Sequence, residues 1–320
     1  MKNQNVNLFF SCDDKYSAFM AVALKSIKNN SAKDRVYNTR ILHTGMAEDR
    51  QNKIISSLSD KNFNIEFIDI SDSVSEFGER LHTRDYYSKT TYYRLFIPNL
   101  FPELDKALYL DSDIVVTGDI AELYDVEMGE CLVGAVRDEF VYSNEILRSY
   151  VENRVGHKSS EHYFNAGVLL MNLKEMRRVR FEEMFLRLLE EVKFDVAQDQ
   201  DYLNVICKDK VVYMDSSWNF MPLPYATKPE IVNLIHFNLD NKPWQKNGIL
   251  FDELFWTLAD ESIFSREITE RKNSYSSEDV ARSAEETAVL IENAKRQAED
   301  EKENNSIKEK IARVISEFSK

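Results

Sequence analysis

From residue 6 to about residue 260, short apolar runs alternate with helix-period patterns, and this alternation leaves few folds open. Strand-like runs fall at 6–10, 40–43, 64–70, 107–110, 131–136, 166–172, 211–214 and 232–237. Amphipathic helical patterns fill 16–28 and 48–58, and the strongest long one covers 174–192. A chain that returns to a strand after each helix builds a mostly parallel sheet with helices on both faces, so the fold class is α/β.

Composition narrows the function. The 41 basic and 55 acidic residues leave a net charge of −14, a field that repels nucleic acid and more readily accepts a divalent cation. No apolar run approaches the roughly 20 residues of a membrane span, so no integral membrane segment is expected. The first residues lack the apolar stretch of a signal peptide. Cys12, Cys131 and Cys207 are odd in number and widely spaced, which fits a reducing, cytoplasmic compartment.

After Ser265 the character changes. Residues 266–320 contain no Trp, Pro or Gly, and carry apolar residues at helical spacing, among them Ile307, Ile311, Ile315 and Phe318. We therefore expect a main domain over 1–265 and a C-terminal amphipathic helical extension over 266–320. With 11 basic and 13 acidic residues, the extension is not a polybasic membrane anchor. Its apolar faces need a surface, supplied by the main domain, a second copy or a partner. A chain ending near Ser265 is expected to keep the chemistry of the main domain while losing stability or association.

Four stretches carry candidate chemistry. In the first, an apolar strand runs into Asp111-Ser112-Asp113, at the strand end where open α/β sheets gather ligands. Two carboxylates there suit a hard cation that in turn holds a diphosphate, although aspartate also favours turns. Asp199-Gln200-Asp201 repeats the spacing, so spacing alone does not discriminate. In the second, His236 closes an apolar strand six residues before Lys242-Pro243-Trp244. Its imidazole can join the same cation or serve the core, and two carboxylates plus an imidazole suit Mn²⁺ somewhat better than Mg²⁺. The third, Asn165-Ala166-Gly167, precedes a buried strand, as a hydroxyl-rich ligand or a plain turn would require. The fourth, Gln198 to Asn204, reads either as a ligand-facing run or as an acidic helix start. No Gly-x-Gly-x-x-Gly, Walker loop or Gly-x-Ser-x-Gly elbow occurs, which removes Rossmann dehydrogenases, P-loop NTPases and α/β-hydrolases.

Taken in order, Phe-Ser-Cys-Asp13-Asp14-Lys15, Thr-Thr-Tyr-Tyr-Arg94, Leu-Tyr-Leu-Asp111-Ser-Asp113, Tyr-Phe-Asn165-Ala-Gly, Gln-Asp199-Gln200-Asp201 and His236 with Lys-Pro-Trp closely resemble glycosyltransferase family 8. This is the family of bacterial lipooligosaccharide α-galactosyltransferases and glycogenin, and the resemblance covers about residues 5–260. It implies a Rossmann-like GT-A fold and transfer of a hexose from a UDP-sugar, with retention of configuration, to a glycan, glycolipid or glycoprotein hydroxyl. It implies Asp111, Asp113 and His236 as ligands of Mn²⁺ or Mg²⁺. Ser11, Asp13 and Lys15 match the uracil and ribose contacts, Arg94, Asn165 and Asp199 the donor-sugar contacts, and Lys242 a diphosphate contact. Ser112 and Ala166 belong to the same donor-binding segments. Gln200 matches the polar residue on the reacting face of the sugar, with Asp199 beside it. Some relatives carry His where this chain has Tyr86. The rival readings are a UDP-sugar hydrolase or sensor, and a non-catalytic binding protein on the same fold. The expected location is cytoplasmic, free or at the membrane periphery.

Overall fold

The computed structural model describes residues 4–75 and 89–318; Tyr86 lies outside them. In chain order the main elements are β1 (Asn5–Ser11), α1 (Ser17–Asn30), β2 (Val36–His43), α2 (Glu48–Leu58), β3 (Phe63–Asp69), β4 (Ala107–Leu110), β5 (Ile114–Val116), β6 (Val133–Arg137) and β7 (Phe164–Met171). There follow α3 (Phe181–Glu191), α4 (Asp199–Ile206), β8 (Val211–Tyr213), β9 (Leu234–His236), α5 (Asp252–Asp260), α6 (Ser265–Ser274), α7 (Ser277–Glu299) and α8 (Glu301–Glu317). The chain forms two compact units. The first takes the described residues up to Ser73, Leu108–Val126 and Asp215–Thr287; the second takes those of 74–107, Glu127–Met214 and Ala288 onward.

In the first unit the strands run in the order β3-β2-β1-β4, all parallel, with Phe9 opposite both Arg40 and Tyr109. β1 is buried along nearly its whole length because a parallel strand is covered on both faces. One cover is α1, whose buried side chains include Ala18, Ala21 and Ala23. Its buried Ser26 hydroxyl accepts from Val116 N at 2.9 Å, and Asn30 donates to Val116 O at 3.0 Å, so α1 fixes β5 by hydrogen bonds as well as by packing. β5 pairs antiparallel with β9, placing Ile114 opposite His236. In the second unit β6 lies between β7, to which it is antiparallel, and β8, to which it is parallel.

The helical pattern over 174–192 is two helices, not one. Arg180 adopts a left-handed backbone (φ 56°) between a short helix ending at Arg178 and α3. The described residues of 266–318 form α6, α7 and α8 with short breaks between them and divide between the units: α6 packs on α1 and α5, whereas α8 packs on α3 and the turn Val151–Val155. α8 buries Ile307 and Val314 and leaves Ile311, Ile315 and Phe318 half-buried. Among the described residues no helix is long and apolar enough to cross a membrane.

Candidate active site

In the first unit β4 ends at Leu110, and the next three residues turn the chain into β5. Asp113 O accepts from Phe237 N at 2.9 Å, which extends the β5–β9 pairing and sets Asp113 beside His236. His236 Nε2 lies 3.3 Å from Asp113 Oδ1 and 3.8 Å from Asp111 Oδ2, and one ligand atom from each residue falls within 4.8 Å of the others. On the far side of the ring, His236 Nδ1 is 2.9 Å from Asn219 Oδ1. With Asn219 Oδ1 accepting from Nδ1, Nε2 faces two carboxylates across a gap that a proton or a cation has to fill. Facing lone pairs at that distance repel unless a cation or proton lies among them, so this donor set fits a divalent cation.

Lys242 completes the cluster. Its buried ammonium donates to Asp113 Oδ2 and to Phe237 O (2.8 Å), leaving Asp113 Oδ1 on the histidine side. Burial pushes the Asp113 carboxyl up, but Lys242 and His236 outweigh burial and hold it well below the usual carboxylate range. Burial likewise lowers Lys242, and Asp113 more than restores it. Two residues on, Trp244 stacks on Phe19 of α1 (3.8 Å between centroids, 9° between planes) and anchors the Lys-Pro-Trp turn to the core.

The segment after β1 has mixed duties. Asp13 Oδ1 accepts from Tyr16 N at 3.0 Å, so this carboxylate also closes the turn before α1. Ser11 is buried and its hydroxyl has no protein partner, and Ser112 Oγ approaches Ser11 O at 3.5 Å. Lys15 is exposed. A cavity of about 210 Å³ is lined by Cys12, Asp13, Asp14, Lys15, Gly45 and Met46. A larger one of about 390 Å³, lined by residues that include Asp49, Arg50, Lys53, Phe264 and Glu267, contains none of the residues singled out by sequence.

In the second unit another polar group is assembled from β6, β7 and α4. Arg94 is almost fully buried, with Nε 3.1 Å from Asp199 Oδ2 and 2.7 Å from Thr91 O, and a terminal nitrogen donating to Ala166 O. Gln200 Oε1 accepts from Ala166 N (2.9 Å) and Asn165 Nδ2 (3.3 Å), while its Nε2 donates to Asp138 Oδ2 (3.0 Å). Asn165 Nδ2 also reaches Asp138 Oδ2 at 3.0 Å. Asp201, the other half of the repeated pattern, accepts from Tyr150 OH, Tyr163 OH and Ala197 N at 2.7–3.0 Å. That set of donors makes Asp201 a core anchor, unlike Asp113.

All the residues expected to bind the cation or the reacting sugar thus fall into two groups, one per unit. Three further residues, Asp138, Asn219 and His157, went unnoticed in the sequence, whereas Gln198 fell within the fourth candidate stretch. Asp138 follows the apolar β6 much as Asp111 follows β4, and that resemblance was a usable signal. Asn219 and His157 act through hydrogen bonds that nothing local announces. Gln198, just before α4, has φ 50° and ψ −116°, and its buried carboxamide has no protein partner.

The glycosyl transferase family 8 profile matches residues 7–248. The glycosyltransferase GlyE of Streptococcus pneumoniae serotype 4 is 26% identical over 298 residues, covering 87% of this chain and 67% of that protein. A crystal structure of the galactosyltransferase LgtC in complex with donor and acceptor sugar analogues is 29% identical with a TM-score of 0.68, covering 81% of this chain and 96% of the other. The apo bifunctional glycosyltransferase WbbM gives a TM-score of 0.73 at 25% identity over 85% of this chain, which spans about half (52%) of the matched one.

Proposed function

The chain belongs to glycosyl transferase family 8, and from that membership we propose that it moves a hexose from a UDP-sugar to an acceptor hydroxyl with retention of configuration, using a divalent cation. The observation that carries the reading is the cluster of Asp111, Asp113 and His236, with the ring turned by Asn219 so that Nε2 faces both carboxylates. Bound there, a cation would offset the charge that develops on the diphosphate as the sugar–phosphate bond breaks. Mn²⁺ fits the mixed oxygen and nitrogen donors better than Mg²⁺.

Within the chain itself, Lys242 offers an ammonium to the same leaving group once Asp113 engages the cation. Ser11, Ser112, Asp13 and Lys15 serve the nucleoside end. Arg94, Asn165, Ala166 and Asp199 serve the hexose, where Arg94 holds the Asp199 carboxylate in a fixed orientation. Gln200 is read as a stabiliser of the positive anomeric carbon. Its Oε1 already accepts two hydrogen bonds and its Nε2 is fixed on Asp138, an arrangement that suits a rigid dipole better than an attacking nucleophile. The acceptor then attacks from the face that the diphosphate leaves. The acceptor is a glycan, lipid-linked or protein-linked hydroxyl. The three unpaired cysteines, two of them buried, support a cytoplasmic location.

UDP release should be measured across UDP-glucose, UDP-galactose and their N-acetyl forms, with and without acceptor. Chelation is expected to abolish release and Mn²⁺ to restore it, and an α-linked donor should give a product with a small anomeric proton coupling. Full activity in excess EDTA would refute the cation, and a β-linked product would refute retention. Release to water alone in the presence of every acceptor class would favour a hydrolase.

A further inference from the structure

Helix α6 begins at Ser265, after the family-matched span ends at residue 248, yet two of its side chains reach back to the loops assigned above to the donor. Lys272 Nζ donates to Pro243 O at 2.6 Å and to Lys246 O at 2.7 Å, and lies 5.5 Å from the centre of the Trp256 ring. The two carbonyls belong to the turn that starts at Lys242, in which Gln245 N and Lys246 N both donate to Lys242 O (2.9 and 3.0 Å). A cation is thus bound at the carbonyl end of a single helical turn, where peptide dipoles leave partial negative charge, and the turn carries Lys242 at its other end. One residue earlier, Arg271 donates to Lys15 O at 3.4 Å and lies 5.5 Å from the centre of the Phe19 ring, the same ring on which Trp244 stacks.

These contacts form a short mechanical chain. Lys272 ties the 243–246 turn, that turn sets the base of the Lys242 side chain, and Lys242 holds Asp113. Arg271 ties the turn after β1 to the same helix. Lys272 spends its ammonium on the two carbonyls and Arg271 reaches the Lys15 carbonyl, so both act through their neighbours.

We propose that α6 is a positioning element of the donor site, with Lys272 setting the turn that presents Lys242 to a diphosphate and Arg271 steadying the Asp13–Lys15 turn. The inference rests on the function proposed above. On this reading the change in composition at Ser265 is not a functional boundary, and removing residues 266–320 costs donor affinity along with stability.

The test uses the full chain and UDP with Mn²⁺ as the probe, followed by calorimetry, with melting temperature measured in parallel. Lys272→Met should weaken UDP roughly tenfold, the scale of one lost charge-assisted contact, and should raise the donor KM far more than it lowers kcat. Lys272→Arg, which keeps a cation for the two carbonyls, should recover most of the affinity. In a Lys242→Ala background, Lys272→Met should change UDP affinity by less than twofold while still lowering the melting temperature, since the turn no longer carries anything to position. If Lys272→Met does not fold, Lys272→Gln, which retains hydrogen-bond donors without the charge, carries the same expectation at smaller amplitude. UDP affinity within twofold of wild type in the single variants, or an undiminished loss in the Lys242→Ala background, would overturn the positioning role and leave Lys272 as a purely structural tie. Failure of the wild-type chain to bind UDP at all would overturn the parent reading as well, before any variant is compared.

Discussion

His157 should make the second unit acid-sensitive by a calculable amount. The ring follows Gly156, whose left-handed backbone (φ 89°) closes the turn Val151–Val155, and it is 5% exposed. Its Nε2 lies 3.1 Å from Asn204 O, so that nitrogen holds the proton and the ring is neutral. Burial pulls the imidazole from 6.5 down to about 4. The unfolded chain therefore takes up a proton near pH 6.5, which the folded chain refuses until about pH 4. Stability is complete above the unfolded value and drains as pH falls through that window. Between pH 7 and pH 5 the linkage amounts to about 2 kcal/mol. His157→Gln keeps an N–H for Asn204 O but cannot charge. Urea unfolding of both proteins at pH 7 and pH 5 should show the wild type losing about 2 kcal/mol more than the variant over that interval. Since Asn204 also bonds Phe164 and Gln200 O, the loss should loosen the start of α4. Identical pH dependence in the two proteins would mean that the folded state can charge His157 freely, and the argument from burial would fail.

Asp113→Asn should abolish any cation-induced rise in melting temperature, and should itself cost about 2–3 kcal/mol at neutral pH because the buried Lys242 ammonium keeps only neutral acceptors; an unchanged cation response by thermal shift would show that Asp113 is not a ligand. Gln198→Gly should stabilise the fold by about 1 kcal/mol, since glycine adopts φ 50°, ψ −116° without strain and removes an unpartnered buried amide, offset in part by its backbone entropy. Destabilisation of that variant in urea would mean that the carboxamide is satisfied in the folded protein.

The sequence could reveal what depends on neighbours in the chain. An apolar run ending in two acids marks a strand end, and that was enough to place Asp111 and Asp113; the same logic applied to β6 finds Asp138. What it could not separate was Asp113 from Asp201, which share a spacing. The difference lies in Tyr150 and Tyr163, whose hydroxyls saturate Asp201 from 51 and 38 residues away. Asn219, which orients His236, is hidden in the same way, because its role exists only once β9 has formed beside the turn Ser216–Asn219. The break at Arg180 carries no Gly or Pro to announce it. The tail was recognised as helical, but composition could not say that α6 belongs with the first unit and α8 with the second.

The pairing of β5 with β9 also orders events in time. Ile114 meets His236 across more than a hundred residues of chain, and residues 127–214 of the other unit are synthesised in between. A nascent chain therefore displays Asp111 and Asp113 long before the imidazole and ammonium that accompany them exist. Until β9 arrives, the two acids lack the third member of the cluster, His236. On the function proposed above, affinity for a cation should thus appear late in refolding, with the slow closure of this distant contact rather than with early collapse. On that same function, a kinetic trace of Mn²⁺ uptake would then report completion of the first unit's topology, and a chain interrupted before Leu234 should bind no ion there.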